Sequence, residues 1–264
     1  MNKKIAGSYP EKKEILQYLL KATNQKEELP TNADAIIDFL KLKLVCFDFN
    51  KFEDDRIKDG RAILSYNQRV IAVNSTIGEP RINFSKFHDI AHYVLPKHVE
   101  KFYFCRGQDM SPSTKLQYEM EANAFAADLI YKGDIFTIES NSMNISFETV
   151  IFLKDKYGSS IESTARHFVE CNWHPCLFVV YEKEEIWKVK YCFFSRPFLE
   201  KYLQSEKGTF TDDNNEDVIK AELQQSQIIS SECKLSIKNE REMTFSCQYF
   251  NNGYNIFAII KEKE

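Results

Sequence analysis

Apolar and polar positions alternate with three different textures along the chain. Over Glu11–Ala22, and again over Ala33–Leu40 after a turn at Pro30-Thr31-Asn32, the apolar spacing predicts two helices. Short β-like runs follow at Leu42–Phe47, Ala62–Tyr66 and Arg69–Val73, the last two joined by Asn67-Gln68. The pattern turns helical over Ile82–Leu95 and stops at Pro96, because proline cannot continue a helix. An irregular stretch ending in Ser111-Pro112-Ser113 leads into a strong helical pattern from Lys115 to Tyr131. Two short helices are expected over 144–171 around Tyr157-Gly158-Ser159, with Ser159 and Glu162 forming a capping box at the second. From Trp173 on, strands dominate: Cys176–Tyr181, Ile186–Phe194, Cys233–Ile237, Met243–Tyr249 and Tyr254–Lys261, with a helix over Asn214–Gln227. The fold class this predicts is α+β.

Composition narrows the picture. The 264 residues are 43% hydrophobic and 28% charged, an ordinary globular balance with room for two or three compact units. A net charge of −4 argues against a chain built to coat nucleic acid or an anionic membrane. There is no apolar run long enough to span a bilayer, and Met1–Gly7 lacks the hydrophobic region of a signal peptide. Seven cysteines, an odd number without CxxC pairs, read as reduced thiols. A cytoplasmic protein is expected.

The candidate chemistry lies in Asn83-Phe84-Ser85-Lys86-Phe87-His88-Asp89-Ile90-Ala91-His92. Histidines four apart share one helix face, which suits two ligands of a tetrahedral Zn²⁺. Asp89 follows the first histidine, where a zinc hydrolase of the H-E-x-x-H pattern keeps a glutamate as general base. A third ligand is expected downstream, where Glu119 and Glu121 lie two residues apart. That places them about 200° apart around a helix, so both cannot face one ion. Glu119 shares its face with Ala122, Asn123 and Ala126, small enough for a partner helix to approach, and is the chosen ligand. Glu121, on an edge expected to open to solvent, is the fallback. His98 lies beyond the Pro96 stop and is expected at the surface, while His167 and His174 are expected to be ordinary polar residues.

These two segments resemble those of the ImmA/IrrE family of zinc metallopeptidases. That family joins an R-F-T-x-A-H-E-x-G-H helix to a later E-x-E/Q-A-N-x-F-A-A-x-L-L helix. Here the counterparts are Asn83–His92 and Glu119-Met120-Glu121-Ala122-Asn123-Ala124-Phe125-Ala126-Ala127-Asp128-Leu129-Ile130. The upstream helix, Ile71-Ala72-Val73-Asn74 and Ser160–Arg166 also follow the pattern, so the resemblance covers about residues 10–180. It implies that His88, His92 and Glu119 hold Zn²⁺ and that Asp89 occupies the catalytic glutamate's place. It also implies limited proteolysis of a helix-turn-helix transcriptional repressor, releasing stress or mobile-element genes. Longer members that resemble the radiation-response regulators add a GAF-like sensory domain after a helix-turn-helix-like linker. The expected organisation is therefore a zincin-like metallopeptidase domain (1–142), that linker (143–171) and a GAF-like sheet domain (172–264) open to a small-molecule signal.

The departures from the family pattern matter. Ala91 stands for glycine and Asn83 for arginine. The second motif ends Leu129-Ile130-Tyr131-Lys132, which predicts a helix running on past the family's stop. Asp89 withdraws its carboxylate by one methylene, about 1 Å, a misplacement that can cost roughly 10²-fold in rate. A non-hydrolytic, zinc-stabilised regulator is therefore the main alternative. His88-Asp89-Ile90-Ala91-His92 also resembles the core of HD-domain phosphohydrolases, but those need an earlier histidine and there is none before His88. The linker does not suit DNA binding. Glu148, Asp155, Glu162 and Glu170 outnumber Lys154, Lys156 and Arg166, so it would repel phosphates.

Overall fold

The computed structural model describes residues 9–106, 113–203, 215–237 and 241–263. Residues 107–112, where the irregular stretch was expected, and Met1–Gly7 lie outside the described residues. The chain divides into two compact units, 1–133 with 156–159, and 134–155 with 160–264.

In the first unit, helices α1 (Tyr9–Ala22) and α2 (Ala33–Phe39) precede strand β1 (Lys43–Phe47), the one-turn helix α3 (Asp55–Lys58), and strands β2 (Gly60–Ser65) and β3 (Val70–Asn74). Helix α4 (Glu79–Val94), strand β4 (Phe102–Arg106) and helix α5 (Ser113–Tyr131) complete it. The sheet order is β1-β3-β2-β4, with β1 parallel to β3 and the other pairs antiparallel. Alternation in β2 and β3 turns Ala62, Leu64, Ile71 and Val73 inward, all fully buried. Helix α4 packs on that apolar face and on α5. Its start suits the sequence, since Gly78 is the N-cap and Pro80 sits in the first turn, where its missing N–H costs nothing. It ends at Val94 because Leu95, before Pro96, is held in extended backbone.

Helix α5 ends where the Lys115–Tyr131 pattern put its end and does not run on past the family's stop. It ends at Tyr131 because Lys132 and Gly133 adopt positive φ, 57° and 55°. That turn drives Lys132 inward, where it is 3% exposed. Its ammonium donates to the carbonyls of Gln25 (2.7 Å), Lys26 (3.2 Å) and Glu28, fastening the α1–α2 connection to the end of α5.

In the second unit, α6 (Asp134–Asn141), α7 (Phe147–Tyr157) and α8 (Ile161–Glu170) precede β5 (Cys176–Lys183) and β6 (Trp187–Phe194). A short helix α9 (Arg196–Phe198), helix α10 (Asn215–Leu223), and strands β7 (Ile228–Ile237), β8 (Arg241–Asn251) and β9 (Ile256–Glu262) follow. The five strands are antiparallel in the order β6-β5-β9-β8-β7. Central strands β5 and β9 are buried on both faces, which is why they read as unbroken apolar runs. On one face Leu177, Val179, Phe245, Tyr249, Ala258 and Ile260 form a core with Phe198 and the α10 residues Val218 and Ala221. The other face meets α7 and α8: Phe147 packs against Phe250 with rings 5.6 Å apart, and Gln248 accepts from the Phe147 N–H at 2.8 Å. Arg166 lies 4.4 Å over the Phe193 ring, and Tyr191 donates to Glu162.

The cap of α8 differs from expectation by one residue. Ser160 is the N-cap, its hydroxyl accepting from Ser163 N–H at 3.1 Å, while Ser159 accepts from Tyr131. Glu162 faces Tyr191, so the expected capping box does not form. Strand β4 and helices α3, α6 and α9 were not anticipated. All seven cysteines are free. Among the described residues, no helix is long and apolar enough to cross a membrane.

Lys132→Met is expected to lower unfolding free energy by about 3 kcal/mol, since it leaves buried carbonyls without their charged donor; a denaturant midpoint unchanged from wild type would refute this. A fragment 134–264 is expected to unfold cooperatively, whereas 172–264, stripped of the helices covering one sheet face, is expected to melt lower or stay unfolded. Calorimetry of both fragments decides between these.

Candidate metal centre

The packing of α4 against α5 brings the predicted groups together. Both histidines lie on the α5-facing side of α4, with His88 2% and His92 0% exposed. Ala122 and Ala126 on α5 are fully buried, and their small side chains permit the close approach that lets Glu119 reach across. The His88 Nε2 lies 3.1 Å from Glu119 Oε2 and 3.1 Å from His92 Nε2, and His92 Nε2 lies 3.4 Å from Glu119 Oε1. One donor atom from each residue falls within 4.8 Å of the others.

The second nitrogens of the rings show what the first ones offer. The Asn123 side-chain carbonyl lies 2.9 Å from His88 Nδ1 and can only accept. A His88 proton on Nδ1 would be accepted there, which frees Nε2 as the ring's donor atom for a cation. Burial lowers the pKa of His92 to about 4, so its ring is neutral at physiological pH. Burial alone would raise the Glu119 carboxyl, but contacts with His88 and His92 outweigh it and hold the pKa at about 2. Two imidazoles and an ionised carboxylate converging on one point match the donor set of a three-ligand divalent metal site.

Asp89 is placed differently. One residue past His88, it lies on the side of α4 that also carries Ser85, whose hydroxyl meets Cys105 of β4 at 3.9 Å. It is 0% exposed, and neither carboxylate oxygen has a hydrogen-bond partner among the described residues. Burial, reinforced by the Glu119 charge, pushes its pKa well above the usual carboxylate range. Such a carboxyl binds a proton readily, and both of its buried oxygens are unpartnered among the described residues.

Two expectations need correction. His98 is 0% exposed rather than on the surface, and its Nδ1 lies 2.9 Å from His92 Nδ1. Glu121 does not open to solvent; its side chain is 10% exposed, 3.5 Å from His98 Nε2 and 3.4 Å from the Lys12 ammonium. Tyr103 stacks on His92 with centroids 4.0 Å apart and planes at 22°. Asn123 could have been found from its i,i+4 spacing to Glu119, whereas no spacing rule reaches His98 across the Pro96 break. His167, which packs against Phe136, and His174, which is exposed, belong to the second unit.

Comparison with known proteins agrees with this picture. No curated protein matches the sequence. A solved structure, a Mycobacterium tuberculosis transcriptional regulator, shares the fold with TM-score 0.55 over 93% of this chain and 74% of its own, at 10% identity. Residues 41–168 match the family model of the IrrE N-terminal-like domain, peptidase family M78. That segment holds both helices of the cluster, and it is an IrrE N-terminal-like domain of peptidase family M78.

Proposed function

We propose that the chain is a zinc-dependent endopeptidase that cleaves a helix-turn-helix transcriptional repressor and so switches on stress or mobile-element genes. The observation that carries this reading is the convergence of His88, His92 and Glu119, each buried or half-buried, at one point between two helices of an M78 domain. These three residues would hold the ion, and Zn²⁺ bound there supplies Lewis acidity toward a water and a carbonyl. Asn123 orients His88 and accepts its Nδ1 proton, which frees Nε2 for the ion. Asp89 takes the proton of the attacking water and delivers it to the leaving amine, a role favoured by its raised pKa and its two unpartnered oxygens. The repressor substrate rests on the resemblance to ImmA/IrrE proteins, and a regulatory role is supported by the transcriptional regulator of similar fold.

The second unit is read as a GAF-like sensory domain, with α7 and α8 as a helix-turn-helix-like connection that carries no DNA contact. An antiparallel sheet covered by helices on both faces supports this reading. A cleft of about 640 Å³ lies within this unit, lined among others by Ser146, Glu148, Thr149, Ser230, Ser246 and Lys261, and is the place for a small polar signal molecule. Seven free cysteines fit a reducing, cytoplasmic location.

A second reading, a zinc-stabilised regulator that binds without cutting, is favoured by the complete burial of Asp89 together with its short side chain. Metal analysis should give close to one Zn²⁺ per chain, lost in His88→Ala and His92→Ala and strongly weakened in Glu119→Ala. Wild type that takes up no zinc would defeat both readings. Incubation with Zn²⁺ and a repressor encoded beside it should yield one discrete shortened fragment. Asp89→Asn should lower that rate by about 10²-fold or more, with zinc content unchanged, while Asp89→Glu retains cleavage. Stable repressor binding with no fragment from the wild type would put the non-cutting reading first.

A further inference from the structure

Behind His92, on the side away from His88 and Glu119, lies a chain of groups that metal coordination does not itself require. The His92 Nδ1 meets His98 Nδ1 at 2.9 Å, His98 Nε2 faces Glu121 Oε2 at 3.5 Å, and the Lys12 ammonium lies 3.4 Å from that oxygen. We propose that Glu121, acting through His98, selects the tautomer of His92 whose Nε2 is free to bind a metal, so that both are positioning residues of the metal centre. This rests on the metal-site reading given above and deepens it.

The argument is one of proton counting. Two neutral imidazoles sharing an Nδ1–Nδ1 contact hold one proton between them, so only two arrangements exist. In the first, His92 Nδ1–H donates to His98 Nδ1, and His98 carries its own proton on Nε2, pointing at the Glu121 carboxylate. In the second, His98 Nδ1–H donates to His92, which must then carry its proton on Nε2. That leaves a bare lone pair on His98 Nε2 facing an anionic oxygen inside the fold, where His98 is 0% exposed. At 3.5 Å the contact is electrostatic rather than a formed hydrogen bond, and on this side of His92 its sign favours the first arrangement. On the other side Glu119, 3.4 Å from His92 Nε2, favours the second until a cation lies between them, so Glu121 supplies the opposing pull that readies Nε2 for a metal.

The rings have little freedom to escape this choice. Tyr103 stacks on His92 at 4.0 Å, and the Tyr118 ring lies 4.8 Å from His98. Glu121 is held on its other side by Lys12 of α1 and by Gln117, which donates to Oε1 at 3.2 Å. The two glutamates of α5 thus divide the work: Glu119 reaches the front of His92, and Glu121 reaches its back through His98.

The test measures Zn²⁺ affinity by competition with a chromophoric chelator, and the His92 tautomer in the metal-free full chain by ¹⁵N NMR. Metal-free wild type should show a fraction of His92 protonated at Nδ1. Glu121→Leu and His98→Ala should each weaken Zn²⁺ by about 10–100-fold. The double variant should lose no more than the worse single one, because both act through one path. Glu121→Gln, which removes the charge but keeps an amide oxygen able to accept, should weaken Zn²⁺ less than Glu121→Leu. In metal-free Glu121→Leu, a fraction of His92 should move its proton to Nε2, with the far-UV spectrum unchanged. Wild-type affinity in both single variants, while His92→Ala abolishes binding, would overturn the relay and leave the metal site standing. Should wild type bind no Zn²⁺, the metal reading falls, and an Nδ1-protonated fraction of His92 that Glu121→Leu leaves unchanged overturns the relay as well.

Discussion

An imidazole buried in a helix interface must place two nitrogens, and one of them needs an acceptor. The α4–α5 contact is organised around that requirement, met twice. His88 finds Asn123 on α5, and His92 meets His98 from beyond the end of α4. Leaving either nitrogen unpaired would cost about 1–3 kcal/mol. Meeting the need at Nδ1 leaves Nε2 of each ring for the front of the site, where Glu119 waits. The small residues Ala122 and Ala126 matter for the same reason, since a bulkier α5 would hold Glu119 and Asn123 out of reach.

Asp89 breaks the rule its neighbours obey. Fully buried and with neither oxygen satisfied among the described residues, it is a group that selection for stability alone would replace with an apolar residue of similar size. Groups of this kind concentrate where function requires an unsatisfied acceptor. The same burial that makes Asp89 costly raises its affinity for a proton. It also withdraws the carboxyl from solvent, so reach and basicity pull in opposite directions at this one position.

The parts legible in the sequence were those governed by periodicity. The i,i+4 histidines, the 200° separation of Glu119 and Glu121, and the continuous apolar runs of β5 and β9 each follow from the geometry of one element. What escaped notice depended on contacts between elements. Glu121 looks solvent-facing on an isolated helix and becomes buried only because α1 and His98 close over it. Ser159 and Ser160 are equally good caps by type; Tyr131 takes the first and leaves the second to α8. The end of α5 at Tyr131 was legible but its cause was not: positive φ at Lys132, a residue whose type favours a continuing helix and whose ammonium is drawn inward by three carbonyls. Strand β4, Phe102–Arg106, carries a β-favouring aromatic run, but it has no strand of its own beside it in sequence and pairs back to β2.

In the second unit the two faces of one sheet differ in chemistry. Antiparallel pairing puts Ser230, Gln248 and Ile259 in one row, and Glu232, Ser246 and Lys261 in the next, on a common face. The opposite face carries Phe245, Cys247, Tyr249, Ala258 and Ile260 into the core beneath α10. A face that needed only to be covered by α7 and α8 would be apolar throughout, as it is at Phe178 and Phe257. Instead it turns polar toward β7 and β8, where hydroxyls and one lysine line a cleft closed on the other side by the start of α7. Polar side chains on such a face are stable against water or a polar ligand but not against a packed helix. The sheet is thus patterned to leave that end uncovered, and the first turn of α7, tied to Gln248 through the Phe147 N–H, is the element that anything entering the cleft would press on first.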